Sequence, residues 1–593
     1  MVVLGTRTRS FKIMWADRIL VMSLAVSTGI ACAGDIQFTD ITAESGIDYF
    51  YDSPGNSLMS QGHFFGGIGV GDFDRNGSDD LFFPGSGTST DRLYLNDGTG
   101  HFTDVSAAWG LVDIHLGNGI GVADVDDDGW LDVIMTSAGD PGGNPGAYRF
   151  YRNVEGTGFV NIAVELGLNE LAPLNPQQPT FVSPGDYDVD GDIDLFYGSW
   201  QPLNGGNKLM RNNGDGTFTN VSNETGMEGA FNSSRGWSST VVDMNQDLLP
   251  EVLWVGDFHR SHYFKNTGTG VFDDLAGQNG TNEDQNGMGG VVLDANVDGV
   301  LDWFVTSIFD DDDKSGHNGN ALYIQYAEHE YLQLAGPYGV LDSGWAWTAC
   351  AVDFDQDGRE DLAVANGNSR KVQYTDEVQS LFRNDPSGTF YNVAAASGLT
   401  LDCASTSCVS FDLENDGDFD LVFLCNDGDV VVYRNDTVDQ GAWLQIDLGG
   451  DPENGIPPYG LNTRVEAIVG DTTFVRYMDG KSCYGACGPQ TLHFGLGDAE
   501  IIDVLEVSWI NGKVTVLENV PVNQVLFIDP NPDCDPLEGD FDQNCLVDGV
   551  DLGTMLGAWG ACPEFPADCP EDINNDGIVN GADLSYLLNN WSQ

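Results

Sequence analysis

Basic residues are scarce: 23 Lys and Arg against 92 Asp and Glu leave a formal charge of −69 on 593 residues. A surface so acidic repels phosphate backbones and anionic bilayers, which sets aside nucleic acid as a partner. Long apolar runs are missing as well. Outside Ile19 to Ile30, no stretch approaches the roughly 20 apolar residues that a spanning helix needs, so no transmembrane segment is expected. A catalytic constellation is also lacking. Apart from carboxylates that belong to repeated loops, no paired carboxylate or Lys/Arg/His cluster stands at a recognisable spacing, and no catalytic residue is assigned. His493, the one histidine worth weighing as a base, has no nucleophile or acidic partner near it in sequence and reads as a structural histidine at a strand end.

What the chain does have is one short loop, seven times over. The copy Asp124, Asp126, Asp128, Asp132 places carboxylates at positions 1, 3, 5 and 9, with Gly129 at position 6 for the bend. Oxygen ligands at that spacing wrap a hard cation such as Ca²⁺. Without the ion the carboxylates repel one another, so the metal is expected to be part of the fold. The remaining copies are Asp72, Asp74, Asn76, Asp80; Asp186, Asp188, Asp190, Asp194; Asp243, Asn245, Asp247, Glu251; Asp294, Asn296, Asp298, Asp302; Asp353, Asp355, Asp357, Asp361; and Asp412, Glu414, Asp416, Asp420. The copy from Asp243 carries Leu248 where the others have glycine and is expected to bind weakly or not at all. An isolated Asp-Gly hairpin turn would explain one such loop, but not seven in register.

Each loop precedes an apolar run of strand character, such as Leu131-Asp-Val-Ile-Met135, and a second signature, aromatic-x-Asn-x-Gly-x-Gly-x-Phe, follows, as around Asn96, Asn212 and Asn266. Loop starts lie 51 to 62 residues apart, enough for about four short strands. Such a unit cannot bury both its faces alone, and closed radial repetition is the usual remedy. Residues 36 to 47 match the back half of a repeat, as in Phe102-Thr-Asp-Val-Ser106, whereas the last repeat stops at Tyr433-Arg-Asn435 without that half. An N-terminal strand is therefore expected to complete the final unit and remove the open edges. Residues 36–437 resemble the FG-GAP, or VCBS, repeats of integrin α-subunit propellers and many secreted bacterial proteins. The resemblance implies a mainly β fold, a seven-bladed propeller with calcium on one side of the ring and ligands on loops of another face.

Residues 441–529 change texture, with strand-like runs at Trp443-Leu-Gln-Ile-Asp-Leu448 and Val504-Leu-Glu-Val-Ser-Trp509 and none of the repeated loops. With His493-Phe-Gly-Leu-Gly497 and Trp509-Ile-Asn-Gly-Lys513, this small β segment is similar to the ASPIC/UnbV domain, which follows such repeats in the cartilage acidic protein family and its bacterial relatives. Cys483-Tyr-Gly-Ala-Cys487 stands where that family has a serine- and glycine-rich loop.

After a Pro- and Asp-rich linker at 530–537, two twelve-residue loops differ from the earlier seven by placing a carboxylate at position 12: Asp540, Asp542, Asn544, Asp551 and Asp572, Asn574, Asp576, Asp583. Each opens a short helix with apolar residues at helical spacing, Leu552, Met555, Leu556, Trp559 and Leu584, Leu587, Leu588, Trp591. Residues 538–593 resemble a dockerin, the calcium-dependent plug for cohesin domains. Positions 10 and 11 hold Gly549, Val550 and Gly581, Ala582 in place of the recognition hydroxyls of cellulosomal dockerins, which points to a cohesin-like or cell-surface receptor outside a cellulose-degrading complex.

Arg7, Arg9, Lys12 and Arg18 before the apolar stretch, with Ala31-Cys-Ala33 after it, read as a cleavable secretory leader over 1–33, with Cys32 a less favoured lipid-attachment site because Gly29 precedes it. Ten cysteines then remain of 11, an even number suited to an oxidising compartment, and Cys403 with Cys408, Cys534 with Cys545 and Cys562 with Cys569 are close enough in sequence to bridge. Up to nine structural Ca²⁺ would add 18 charges and bring −69 to −51. The run Asp310 to Lys314 reads as a solvated loop. Together these features predict a secreted or cell-surface adhesion or binding protein, of bacterial type, that takes a glycan or protein ligand on its propeller loops. The alternative is a secreted polysaccharide lyase or hydrolase carried by a dockerin.

Overall fold

The computed structural model describes residues 35–593 except 53–64, 139–147, 169–178, 202–205, 311–317, 376, 439, 532–538, 540, 542–546, 548, 563–572, 574–577, 590 and 592–593. The expected leader, Cys32, most of the acidic run after Asp310 and much of the two C-terminal loops lie outside the described residues.

Seven antiparallel sheets on a four-strand plan occupy residues 38–435. Their first strands are Ile68–Gly71, Ile114–Ala123, Pro179–Gly185, Arg235–Val242, Gly290–Leu293, Ala346–Val352 and Ser405–Phe411, and the sheets are numbered 1 to 7 in that order. Each first strand touches the first strand of the next sheet, and that of sheet 7 touches that of sheet 1. The cycle of contacts is closed, consistent with a propeller. Burial falls off outward: in sheet 1 the first two strands, Ile68–Gly71 and Asp80–Phe83, are wholly buried, Arg92–Asn96 alternates, and Phe102–Asp104 hides only its phenylalanine. Second strands such as Asp132–Ser137 are buried on both faces because a neighbouring sheet covers each side.

Sheet 7 takes its fourth strand from the other end of the chain. Phe38–Asp40 pairs antiparallel with Gly428–Asn435, Phe38 opposite Asn435 and Asp40 opposite Tyr433. Sheet 5, whose third strand has Gln325 in place of the signature asparagine, still forms its fourth strand, Glu330–Gln333.

Residues 443–528 form two facing sheets, one of three strands (Trp443–Leu448, Thr491–Gly495, Gln524–Ile528) and one of four (Arg464–Val469, Thr472–Tyr477, Ile501–Ser508, Val514–Pro521). Leu444, Ile446, Val465, Leu492, Phe494, Leu505 and Trp509 fill the space between them. This domain sits on the repeated loops. Asn462 donates to the Asp186 carbonyl at 2.6 Å, Tyr477 Oη accepts from Asp243 N at 2.9 Å, Arg464 donates to the Gly299 carbonyl at 2.6 Å, Gly497 N to the Gln356 carbonyl at 2.9 Å, and Gln445 Nε2 to Asp412 Oδ2 at 2.8 Å. The loops of sheets 3 to 7 are thus all engaged.

A hairpin of the same domain enters the middle of the ring. Ala486–Cys487 pairs parallel with Ile68–Gly71, and Ser482–Cys483 packs on the first strands of sheets 3, 4 and 5. At its tip Tyr484 is fully buried against Trp237 and Trp347, ring centroids 5.0 and 5.5 Å away, and its carbonyl accepts from the Thr348 hydroxyl. Glycines make the approach possible: Gly485 has φ 61° and passes so close to Ser407 that a Cβ would collide with it.

In the tail, helices Gly549–Gly557 and Gly581–Asn589 share a small core of Val547, Met555, Val579 and Leu587. The pairs Val547/Val579, Asp551/Asp583, Met555/Leu587 and Trp559/Trp591 are each 32 residues apart, the mark of a duplicated unit.

The cysteine reading needs correction. Cys403 bonds Cys425, not Cys408, because in sheet 7 Ser405–Phe411 lies antiparallel to Asp420–Cys425 and brings residue 403 beside 425. Cys408 points instead to Cys350 of sheet 6. Cys562 is disulfide-bonded, and Cys534, Cys545 and Cys569 lie outside the described residues.

Candidate metal centres

The seven loops share one backbone. Position 4 is a non-glycine residue in the left-handed region every time: Arg75, Asp127, Val189, Gln246, Val297, Gln356 and Asn415, with φ between 54° and 63°. Position 6 follows at φ 67° to 99°. That pair of turns aims the backbone N–H groups of positions 5 and 6 at the first carboxylate, as in Asp128 N to Asp124 Oδ1 at 3.1 Å and Gly129 N to Asp124 Oδ2 at 2.9 Å. Leu248 adopts the same conformation at φ 67° and gives the same bond, Leu248 N to Asp243 Oδ2 at 2.8 Å. The fourth loop therefore keeps the shape at the cost of a strained leucine.

The last carboxylate is the anchor. Asp80, Asp132, Asp194, Glu251, Asp302, Asp361 and Asp420 are all buried, each accepting from the backbone of loop position 2, as in Phe73 N to Asp80 Oδ2 at 2.9 Å. In the six aspartates the second oxygen takes a backbone N–H from the third strand, as in Asn96 N to Asp80 Oδ1 at 2.8 Å.

Carboxylate oxygens come within 4.8 Å of one another in four of the loops, at Asp72, Asp74, Asp80; Asp124, Asp126, Asp132; Asp186, Asp188, Asp194; and Asp353, Asp355, Asp357. Several buried aspartate clusters can thus hold metal ions. The loops from Asp243, Asp294 and Asp412 do not gather three carboxylates so tightly: the first ends in the longer Glu251, the second has Asn296 at position 3, and in the third Glu414 reaches toward Arg434 at 3.6 Å. Asp355 Oδ1 and Glu414 Oε2 are buried oxygens with no hydrogen-bond donor, the condition a hard cation relieves. Burial first, and crowding by like charge after it, pushes Asp72 up to about 6, Asp124 to about 7, Asp186 to about 8 and Asp80 to about 9. Asp132, Asp194, Asp302, Asp361 and Asp420 are raised for the same reasons.

In the tail, Asp551 and Asp583 are fully buried and accept from Phe541 N at 2.6 Å and Asn580 N at 2.9 Å. Their expected companions Asp540, Asp542, Asn544, Asp572, Asn574 and Asp576 lie outside the described residues.

The asparagine of the second signature has a role the sequence did not disclose. Its side-chain amide donates to the carbonyl of loop position 2 in the preceding sheet: Asn153 to Phe73 at 2.9 Å, Asn212 to Val125 at 3.2 Å, Asn266 to Tyr187 at 3.0 Å, Asn384 to Ala295 at 3.0 Å and Asn435 to Phe354 at 2.9 Å. Gln325 does the same for Met244 at 3.0 Å, and Asn96 closes the circle on Leu413 at 3.0 Å. Its regular spacing before the Gly-x-Gly turn was the signal; the partner, a whole repeat away, was not visible.

His493 is buried among these contacts. Its Nε2 lies 3.2 Å from the Gly417 carbonyl, and burial, followed by the Arg476 charge, lowers its pKa to about 3. A neutral imidazole fixing the small domain to sheet 7 fits that setting better than a base. A second grouping has the outline of a nucleophile triad: His115 stands 2.8 Å from Asp91 and 3.1 Å from Ser137. All three are buried. Asp91 caps the end of a second strand through Gly85 N, as Asn207, Asn320 and Gln379 do through Ser199, Ser307 and Asn366 in other sheets. The arrangement is a repeated structural pin with a histidine added.

Loops of this form on a closed set of β sheets define FG-GAP-like repeats, and that family matches residues 61–135, 186–254 and 353–423; the ASPIC and UnbV family matches 453–533. The chain carries both. It is homologous to cartilage acidic protein 1: the Mus musculus protein is 25% identical over 322 residues, 52% of this chain and 47% of that one, and the Homo sapiens protein 26% identical over 327 residues, 52% and 46%. The chain thus matches about half the length of these curated relatives. Among solved structures it is similar to an Agrocybe aegerita lectin specific for non-reducing terminal N-acetylglucosamine (17% identity, 63% of this chain, 95% of the lectin, TM-score 0.37). It is also similar to the rhamnogalacturonan lyase YesW (14% identity, 62% and 71%, TM-score 0.32).

Proposed function

We propose that this chain is a secreted, calcium-stabilised binding protein: a seven-bladed propeller that presents a ligand surface, and a dockerin-like tail that tethers it to a cohesin-like or cell-surface receptor. The observation that carries the reading is that the small domain occupies the loop face, engaging the loops of sheets 3 to 7. Recognition then falls to the opposite end of the strands. There Arg235 lies 4.1 Å above the ring of Trp200 and 5.4 Å from that of Phe258, which is 55% exposed. Trp200 Nε1 donates to Asp257 at 2.9 Å and Asn286 Nδ2 to the same carboxylate at 2.8 Å. Flat aromatic faces held beside a fixed carboxylate and amide suit the apolar face and hydroxyls of a sugar, or an equally amphipathic protein loop. The tail supports tethering through its exposed and equivalent residues Leu556, Trp559, Leu588 and Trp591.

The test is a glycan array and a reducing-sugar assay on the calcium-loaded protein, beside surface retention of a chain lacking 534–593. Saturable binding lost in Trp200→Ala supports the proposal, as does release of the truncated form. Sugar liberation by clean protein would move the assignment to an enzyme.

A further inference from the structure

Two thiols meet across the boundary between neighbouring sheets. Cys350, on the first strand of sheet 6, and Cys408, on the first strand of sheet 7, hold their Sγ atoms 3.6 Å apart, and Cys350 Sγ also lies 3.4 Å from the Cys408 carbonyl. The two first strands pack directly on one another. Both residues line a cavity of about 70 Å³ between the inner strands and the inserted hairpin, a space large enough for several waters and bordered also by Cys483, Arg476 and His493. Cys408 is fully buried and Cys350 half-buried.

We infer that Cys350 and Cys408 are a disulfide site that cross-links sheet 6 to sheet 7. A disulfide needs sulfurs about 2.05 Å apart, so the two atoms have roughly 1.5 Å to close between them, a movement within reach of side-chain torsions. The same chain forms Cys403–Cys425 and a bond at Cys562, so its maturation is oxidising chemistry. Cys483 is the competing partner, but it sits on the hairpin with its thiol against the Ala349 and Gly290 backbone. Cys487 is taken up elsewhere, against the Gly480 carbonyl at 3.4 Å and Val122 N at 3.3 Å.

The chemistry balances with a disulfide-bearing oxidant, a small molecule or an oxidoreductase. The Cys350 thiolate attacks that disulfide and releases one thiolate. The Cys408 thiolate then attacks the Cys350 sulfur of the mixed disulfide and releases the second. Two cysteine protons pass to solvent, two electrons to the oxidant. Because burial raises the pKa of Cys408, the exchange belongs to the stage at which sheet 7 docks, before that thiol is enclosed. The bond would join positions 58 residues apart and hold two sheets together at their innermost strands, at the opposite edge of sheet 7 from the strand Phe38–Asp40 that completes it.

The experiment uses the full chain, produced in an oxidising compartment and blocked with N-ethylmaleimide under denaturing conditions without reductant. Peptide mapping is expected to recover a linked species containing Cys350 and Cys408, about 2 Da lighter than its two reduced peptides together. Cys350→Ala is expected to expose one additional alkylatable thiol, at Cys408. Recovery of both residues as alkylated peptides beside an intact Cys403–Cys425 bridge overturns the inference, as does a bridge from either of them to Cys483.

Discussion

The side-chain amide of Asn96 donates to the Leu413 carbonyl at 3.0 Å, joining the first repeat to the last across 317 positions of sequence. It is the seventh member of a circle of equivalent latches, one of them made by Gln325, and the sheets it links are joined in sequence only through the borrowed N-terminal strand Phe38–Asp40.

Asn96→Ala is therefore expected to cost about 1–3 kcal/mol, the net contribution of the two hydrogen bonds its amide gives to the Leu413 and Asp79 carbonyls, measured by urea denaturation of the calcium-loaded protein. Asn212→Ala, between sheets already joined in sequence, is expected to cost a similar amount but to leave closure intact. Hydrogen exchange in Phe38–Asp40 separates the two, rising only in the first.

Chelation is expected to lower the melting temperature, and the loss should depend on pH. The loop carboxylates have folded pKa values above their unfolded ones, Asp124 near 7 and Asp186 near 8, so the metal-free fold binds more protons than the unfolded chain. Its stability falls as pH rises from about 4 toward 8, and calcium restores it most where the carboxylates are ionised. Scanning calorimetry at pH 5, 6.5 and 8 with and without EDTA should show the gap widening upward; a gap that narrows refutes the metal's role.

Leu248→Gly is expected to stabilise the protein by up to about 1 kcal/mol, since relief of a left-handed leucine exceeds the entropy of glycine. Leu248 is 41% exposed, so little packing is surrendered. If calorimetric titration also shows one further ion bound, the leucine alone had weakened that loop; an unchanged count assigns the weakness to Glu251.

Tyr484→Ala is expected to cost about 3–5 kcal/mol through the cavity it leaves beside Trp237 and Trp347. The hairpin should then disengage, and limited proteolysis should cut near 437–441 while the repeats stay intact. Retained resistance there would mean that the contacts to the loops suffice.

Much of this was legible because it is local. The seven oxygen-rich loops of the repeats, the missing half repeat at Tyr433-Arg-Asn435 and the change of texture near 441 all lie in short windows of sequence. What escaped notice joins distant segments. Cys403 looked ready for Cys408 five positions on, yet the first strand of sheet 7 turns the Cys408 thiol toward sheet 6 and antiparallel pairing delivers Cys425 instead. Cys483-Tyr-Gly-Ala-Cys487 read as a departure from its family's loop, with nothing in the string to say that it enters a ring built by the preceding 400 residues. The Asp91, His115, Ser137 grouping was equally invisible, since its members come from three separate strand ends.

The hairpin in the ring also imposes an order of events during synthesis. Phe38–Asp40 has no partner until residues near 435 leave the ribosome, and the centre stays unfilled until residue 487 follows. The repeats must wait, edges open and acidic loops unscreened, for a segment made after all of them. On the proposed reading of the loops as calcium sites, the ion is needed where the chain folds and not only where it is used, and yield on expression should follow calcium in that compartment.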